Sequence, residues 1–488
     1  MAAMPATPPC APPAAPRATD PASLGIRDTL AALAAGHLTS EALIEALLAR
    51  VPTWADLNAF IGFDAERARQ EARASDAARR DGRPLGPLHG LPLLIKDNID
   101  VEGWPTSAGT PALRNFRPAR TAPAAARLLG AGAFVFAKNT LHELAHGITS
   151  NNPAFGPVRN PYDRTRIPGG SSGGTAAAIA ARLGAAGLGT DTGGSVRIPA
   201  ALCGIVGFRP TTGRYPLGGI VPISHTRDTP GTLARSVGDL ALLDSVLAGV
   251  PPVTEPRDLK TVRLGVPRAL YYEELDPEVG RVTQAALERL ARAGVTLIEG
   301  DVPGLRSLSA PVAGVISDYE FPRDLAAYLK ASGSGIDLDT VISGLASPDL
   351  RDTFAREVRG PAAPTEARYR EALEVGRPAI QAAFAQHFKA LNLDAIVFPT
   401  TSLPARPLEA DREDEARGSH AETFVTYLRN ARPATVAALP ALSLPAGTTA
   451  AGLPVGLELD GPTGGDSGLL SLALAVEARF PPLVPPRR

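Results

Sequence analysis

Apolar positions along this chain recur at two spacings, one that suits a helix face and one that suits a buried strand. In LTSEALIEALLARV they return every three or four residues behind Thr39 and Ser40, either of which can cap a helix, with Glu41 in its first turn. DAERARQEARASDAARRDG, which stops at Gly82, is charged on most faces and predicts a solvated surface helix. The spacing then changes. GLPLLIKDNIDV is a short unbroken apolar run followed by polar residues, and predicts a buried strand that delivers Lys96 and Asp97 to its carboxyl end. PAAARLLGAG followed by AFVFAKNT reads as helix, glycine stop and strand, and TAAAIAARLGAAGLGTD repeats the alternation. Helices and buried strands succeeding each other in this way predict an α/β sheet. Ligand sites in such sheets lie beyond the carboxyl ends of strands, where Lys96 and Ser195 both fall.

The rest of the pattern sets the organisation. Residues 1–24, rich in proline and alanine, predict a disordered tail and no export signal, because an early positive cluster is missing and prolines cut each apolar run. Residues 25–488 show no repeat and no linker, which predicts a single domain. Within it, residues from about 254 to 432 are more charged and irregular, and DREDEARGSHAE (Asp411–Glu422) predicts an exposed loop. LSLPAGTTAAGLPVGLELDG predicts two strands around a turn, and GGDSGLLSLALAVEARF a last helix capped near Asp466 or Ser467. Pro440, Pro445 and Pro454 break the apolar stretch before it, so a spanning helix is not expected there.

Composition changes this picture little. The 488 residues carry a formal net charge of -1, with 44% hydrophobic and 20% charged residues, which gives no footprint for nucleic acid or for a membrane surface. Cys10 and Cys203 are too few and too far apart in sequence for a disulfide framework; a reducing cytoplasmic setting is expected, with Cys203 a small buried hydrophobe.

Three segments compete for the chemistry. HELAH, His142–His146, matches the zinc-protease pattern, but the third-ligand spacing fails and Gly147 and TSNNP cut the helix short, so a structural helix bordering a pocket is preferred. PGGSSGGTAAAIAAR is a glycine-rich loop entering a helix, without the lysine a P-loop needs; a helix cap at Ser171 or Ser172 explains one serine but not the doubled glycines. GTDTGGSVRIPA sets Ser195 behind two glycines, where the N–H groups of Thr192, Gly193 and Gly194 can form an oxyanion hole; an ordinary strand-to-helix turn would use the same glycines.

Together, Lys96 in LLIKDNID, the PGGSSGG loop and GTDTGGSVRIPA resemble the amidase signature family. Ser171 follows Lys96 by 75 residues and Ser195 follows Ser171 by 24, both in keeping with that family. The resemblance implies a central mixed, mostly parallel sheet covered by helices on both faces. It implies Ser195 as acyl-forming nucleophile, Ser171 as bridging hydroxyl after a cis Gly170–Ser171 peptide, and Lys96 as base. Ser172, Asp191 and Arg197 match supporting positions, and Ala145, His146 and Gly147 align with a segment bordering the substrate. It implies catalytic-core residues from about 85 to 235, a variable pocket region from 254 to 432, and no metal or organic cofactor. Physics adds a condition. A lysine of pKa about 10.4 must be uncharged to serve as base, and the apolar LPLLI before Lys96 is consistent with the burial this needs. For Lys96 alone, a strand-end ion pair with Asp97 would be preferred; the three-part spacing reverses that.

GITSNNPAFGPVRNPYD, SDYEFPRDLAAYL and LPAGTTAAGLPVGLELDGP look most like the branch containing mandelamide and indoleacetamide hydrolases. That resemblance implies hydrolysis of a small primary aryl-acetic amide, with Tyr319 and Phe321 as candidates for the acyl pocket or for plain packing. The alternative is the glutamine-hydrolysing subunit of a tRNA-dependent amidotransferase. An inactive scaffold fits poorly with three intact triad positions. The amidotransferase alternative predicts a stable hetero-complex and a polar pocket for glutamine, whereas the aryl-acetic amide reading is compatible with a homodimer.

Overall fold

Eleven strands form one sheet in the computed structural model, which describes residues 20–410 and 420–487. In chain order they are β1 (Phe60–Phe63), β2 (Pro92–Lys96), β3 (Phe134–Asn139), β4 (Ala186–Asp191), β5 (Val206–Arg209), β6 (Thr229–Ala234), β7 (Arg263–Val266), β8 (Thr296–Glu299), β9 (Ala395–Pro399), β10 (Ala441–Thr448) and β11 (Pro454–Asp460). Across the sheet the order is β1-β3-β2-β4-β6-β5-β10-β11-β9-β7-β8. The α/β class and the mixed sheet are as expected. Parallel pairing is less extensive than expected: it joins β3, β2 and β4 on one flank and β9, β7 and β8 on the other, while the centre is antiparallel. The reason is connectivity. Parallel neighbours need a crossover, usually a helix, whereas β10 and β11 are joined by a short turn at Thr449–Leu453.

The β2 run is buried throughout because both faces of the sheet are covered. Leu93 and Ile95 enter one apolar core with the Pro123–Gly130 and Val237–Ala248 helices, and Leu94 enters the opposite core with the Gly173–Ala180 helix. β2 lies parallel to β4 with Leu94 opposite Gly187 and Ile95 opposite Leu188. A Cβ on Gly187 would stand 2.6 Å from both the Leu94 carbonyl oxygen and Thr175 Cγ2, so the strands close only over glycine.

Helix boundaries follow local chemistry. Thr39 rather than Ser40 caps the Ser40–Arg50 helix, its hydroxyl accepting from Ala42 N–H at 3.0 Å. The last helix, Asp466–Glu477, starts after Gly465 with no side-chain cap; Asp466 instead accepts from Thr211 N–H and hydroxyl. Residues 20–24, placed in the tail by the sequence, form a 3-10 turn at Pro21–Ser23 with Ala22 buried. The rest of that tail and most of the loop expected at Asp411–Glu422 lie outside the described residues; His420–Glu422 open a helix running to Ala437. Among the described residues no helix is long and apolar enough to cross a membrane.

Candidate active site

Lys96 ends β2 and Thr190 lies one residue before the end of β4, so the parallel pairing puts both at the same edge of the sheet. Lys96 Nζ lies 2.7 Å from Ser171 Oγ and donates to Thr190 Oγ1 at 2.7 Å. Asn98 Nδ2 donates to the same threonine oxygen at 3.1 Å. Asp97 points elsewhere. Its carboxylate pairs with Lys138 at 2.9 Å and accepts from Ser107 N–H, so the ion pair weighed for Lys96 is made by a different lysine. Lys96 is fully buried, and loss of water lowers its pKa to about 7, against the raising effect of the Asp191 and Asp228 charges.

Ser171 sits in the glycine-rich loop, after a cis Gly170–Ser171 peptide. The loop is tied down from behind: His142 N–H donates to the Ser171 carbonyl at 3.3 Å, and Ser150 Oγ to the Gly169 carbonyl at 2.9 Å. Ser172 precedes the Gly173–Ala180 helix without a side-chain cap; its hydroxyl donates to Thr190 O at 3.4 Å and its N–H to the Ser195 carbonyl at 3.1 Å. That backbone bond is what brings the Ser195 turn to the Ser171 loop. The structure thus closes the Lys96–Ser171 link, while the Ser195 hydroxyl lines a cavity and makes no hydrogen bond among the described residues.

Behind Ser195 the turn is braced by charge. Arg197 donates to Asp191 through Nε and Nη2, both at 3.1 Å, Arg209 reaches Asp191 at 3.2 Å, and Arg197 also pairs with Glu458 of β11. Burial would raise the Asp191 carboxyl, but the two guanidiniums outweigh it and hold it below the usual carboxylate range. Asp191 also accepts from Gly194 N–H at 3.0 Å and Val196 N–H at 3.1 Å. Gly194, expected among the oxyanion donors, therefore spends its N–H on Asp191. Its φ of +135° and a Cβ position 2.7 Å from Ala431 Cβ give its absence of side chain a packing reason. The N–H groups of Thr192, Gly193 and Ser195 have no partner among the described residues.

A cavity of about 310 Å³ opens over this turn, lined by Thr192, Gly193 and Ser195 and, opposite, by Ala145, His146 and Gly147. The HELAH segment is not the helix expected. Glu143–Ala145 form a 3-10 turn, and Leu144 and Ala145 have φ of +50° and +57°, so the two histidines do not share an α-helical face. Glu143 accepts from Ala346 and Ser347 N–H, His142 meets Asp349 at 3.2 Å, and burial lowers His146 to about 4 where it packs on Phe321. This geometry suits a pocket wall and not a zinc tripod. Phe321 is buried behind that wall, and Tyr319 stacks on Tyr369 away from the cavity; neither is a lining residue.

The family model for Amidase matches residues 42–470. The chain belongs to the amidase family. This amidase is 44% identical over 435 residues to an indoleacetamide hydrolase of Agrobacterium vitis, covering 89% of this chain and 92% of the relative. It is 41% identical over 456 residues to a mandelamide hydrolase of Pseudomonas putida, covering 91% and 88%. Among solved structures, the native peptide amidase of Stenotrophomonas maltophilia matches with a TM-score of 0.81 at 32% identity, over 95% of this chain and 98% of that one.

Sequence reasoning missed several residues of the candidate site. Thr190 and Asn98 stood inside the quoted motifs without a signal to single them out; Asn98 lies in the turn after β2, where strand alternation no longer holds. Asp228, which accepts from the Thr192 hydroxyl and from Ile223 and Ser224 N–H, and Arg227, whose guanidinium donates to Thr192 O at 3.0 Å, carried no motif. The cavity walls supplied by Leu305–Ser332 and His420–Ala437 came from the part of the chain with the weakest pattern.

Proposed function

We propose that this amidase hydrolyses a small primary aryl-acetic amide to the carboxylic acid and ammonia, with Ser195 as nucleophile, Ser171 as relay and Lys96 as base. The observation that carries the reading is the 2.7 Å approach of Lys96 Nζ to Ser171 Oγ, by an amine that burial lowers to about 7. The uncharged amine takes a proton from Ser171, which takes one from Ser195 as its oxygen attacks the amide carbon. The oxyanion is received by the N–H groups of Thr192, Gly193 and Ser195. The proton on Lys96 returns through Ser171 to the leaving nitrogen, which departs as ammonia; water then cleaves the acyl-enzyme by the reverse relay. Asp191, Arg197 and Ser172 hold the two serine-bearing segments, while Ala145, His146 and Gly147 face the acyl group.

The likeness to indoleacetamide and mandelamide hydrolases supports the aryl-acetic class. So do the apolar walls of the cavity at Leu350, Phe424 and Leu428, which suit a ring. We place the enzyme in the cytoplasm, acting without a partner subunit other than a copy of itself. Purified protein alone, offered phenylacetamide, mandelamide, indoleacetamide and glutamine, is expected to release ammonia from the aryl amides. Release from glutamine only would replace this reading by the amidotransferase subunit.

A further inference from the structure

Five charged residues that line the cavity beside Ser195, namely Asp318, Asp352, Arg356, Glu357 and Arg432, have side chains that make no hydrogen bond or salt bridge with another described residue, and of these Asp352 and Arg356 are exposed. Arg432, on the His420–Ala437 helix, and Asp318, on the Leu305–Ser332 helix, both line it. Neither side chain makes a hydrogen bond or a salt bridge with another described residue; the Arg432 guanidinium lies 5.9 Å from the centroid of the Phe424 ring. Arg227, in the same cavity, is the contrast. Its guanidinium donates to the carbonyls of Ala313 and Thr192 at 3.0 Å and to Thr435 Oγ1 at 2.8 Å, so it braces the wall and has little left for a ligand.

A carboxylate offers about four acceptor sites and a guanidinium five donors. Both side chains are half-buried and their unpaired polar atoms stay accessible from the cavity, so a ligand that displaces water there must replace its hydrogen bonds. A ligand that brings a hydrogen-bond donor to Asp318 does so. Burial pushes the Asp318 carboxyl up to about 7, with Glu357 acting in the same direction and Arg227 and Arg432 opposing. Such a carboxyl is poorly solvated and gains from an incoming N–H. The apolar residues of the same cavity, Leu350, Phe424 and Leu428, give a flat ring somewhere to lie.

We propose that Asp318 is a specificity-determining acceptor of the acyl pocket, taking a hydrogen bond from the ring N–H of an indole-type acetamide, with Arg432 as its counter-charge across the cavity. This rests on the aryl-acetamide reading and narrows it, favouring a fused ring that carries an N–H over a ring of the same shape without one.

The test compares kcat/KM for indole-3-acetamide and 1-benzofuran-3-acetamide, which keeps the shape and replaces N–H by oxygen. Wild type is expected to prefer the indole by at least about tenfold, since a site built to accept a hydrogen bond rejects the analogue lacking it. Asp318→Ala is expected to bring the ratio to about one, while Asp318→Asn, which keeps a carbonyl acceptor in the same volume, retains most of it. Because each ratio is taken within one protein preparation, a loss of folded enzyme cancels. A wild-type ratio near one, or a preference that survives in Asp318→Ala, overturns the assignment while leaving the aryl-acetamide reading intact. Wild type inactive on both amides, with glutamine turned over, overturns the aryl-acetamide reading and the assignment with it.

Discussion

At the scale of single residues, the decisive fact is that an amine with no exposure to water sits within hydrogen-bond distance of a serine. Burial raises the free energy of its charged form, so the neutral form becomes accessible near pH 7. The neutral fraction grows as pH rises, so kcat/KM is expected to climb about fivefold from pH 6 to 7, gain about a further twofold by pH 8 and level off above, provided Lys96 is the base. Lys96→Met should lose at least about a thousandfold in kcat and abolish that rise. An acid optimum, or a variant that keeps its rate, would remove Lys96 from the relay. The sequence made this residue legible through three motifs at fixed spacing. It did not make Thr190 legible as the partner of Lys96, because a threonine near the end of a glycine-containing strand has many ordinary uses. Gly194 was misassigned for a related reason: sequence shows that a turn can present N–H groups, not which of them a nearby carboxylate has already engaged.

At the scale of elements, the Ser195 turn is held between β4, the Arg197–Cys203 helix and β11 by one buried cluster, Asp191, Arg197, Arg209 and Glu458. Removing one member of a buried charge cluster strands the others, which typically costs about 3–5 kcal/mol. Asp191→Asn is therefore expected to lower the urea midpoint sharply and to reduce kcat with it; an unchanged midpoint would show that the cluster is not holding the turn. Most helices and strands here were legible because their apolar spacing or capping residues are strong. The HELAH segment was not: its residues favour a helix, yet Glu143 is drawn to the backbone of Ala346 and Ser347, and the chain turns through positive φ at Leu144 and Ala145 to follow it. A tertiary contact 200 residues away in sequence overrode local preference, which no window of a dozen residues can reveal.

For the whole molecule, the same lysine ties the proposed catalysis to stability. In the unfolded chain its amine titrates near 10.4, and in the native state near 7. Between those values the unfolded state binds the extra proton, so the contribution of this group to stability rises with pH through that window and is lowest below pH 7. Lys96→Met lacks this term. Unfolding in urea should show wild type gaining on the variant by about 2 kcal/mol between pH 6.5 and 8.5. An offset that does not change with pH would mean that Lys96 stays charged in the folded enzyme. The α/β class was readable from alternating segments, but the antiparallel centre of the sheet was not, because strand order across hundreds of residues leaves no local trace. The cavity walls were illegible for the same reason: Asp318 and Arg432 are brought together only by the packing of two distant helices.

The contact between β2 and β4 has one more consequence. Side chains alternate along a strand, so a slide by a single residue would turn Lys96 away and offer Asp97 to Ser171 in its place. An ordinary aspartate, with a pKa about three units lower than this lysine, would be too weak a proton acceptor to replace it. Gly187 works as a keyway against that error: the two backbones mesh where it faces Leu94, and a neighbour bearing a side chain in that slot would jam. The proposed choice of base is thus guarded by a residue that has no side chain to contribute.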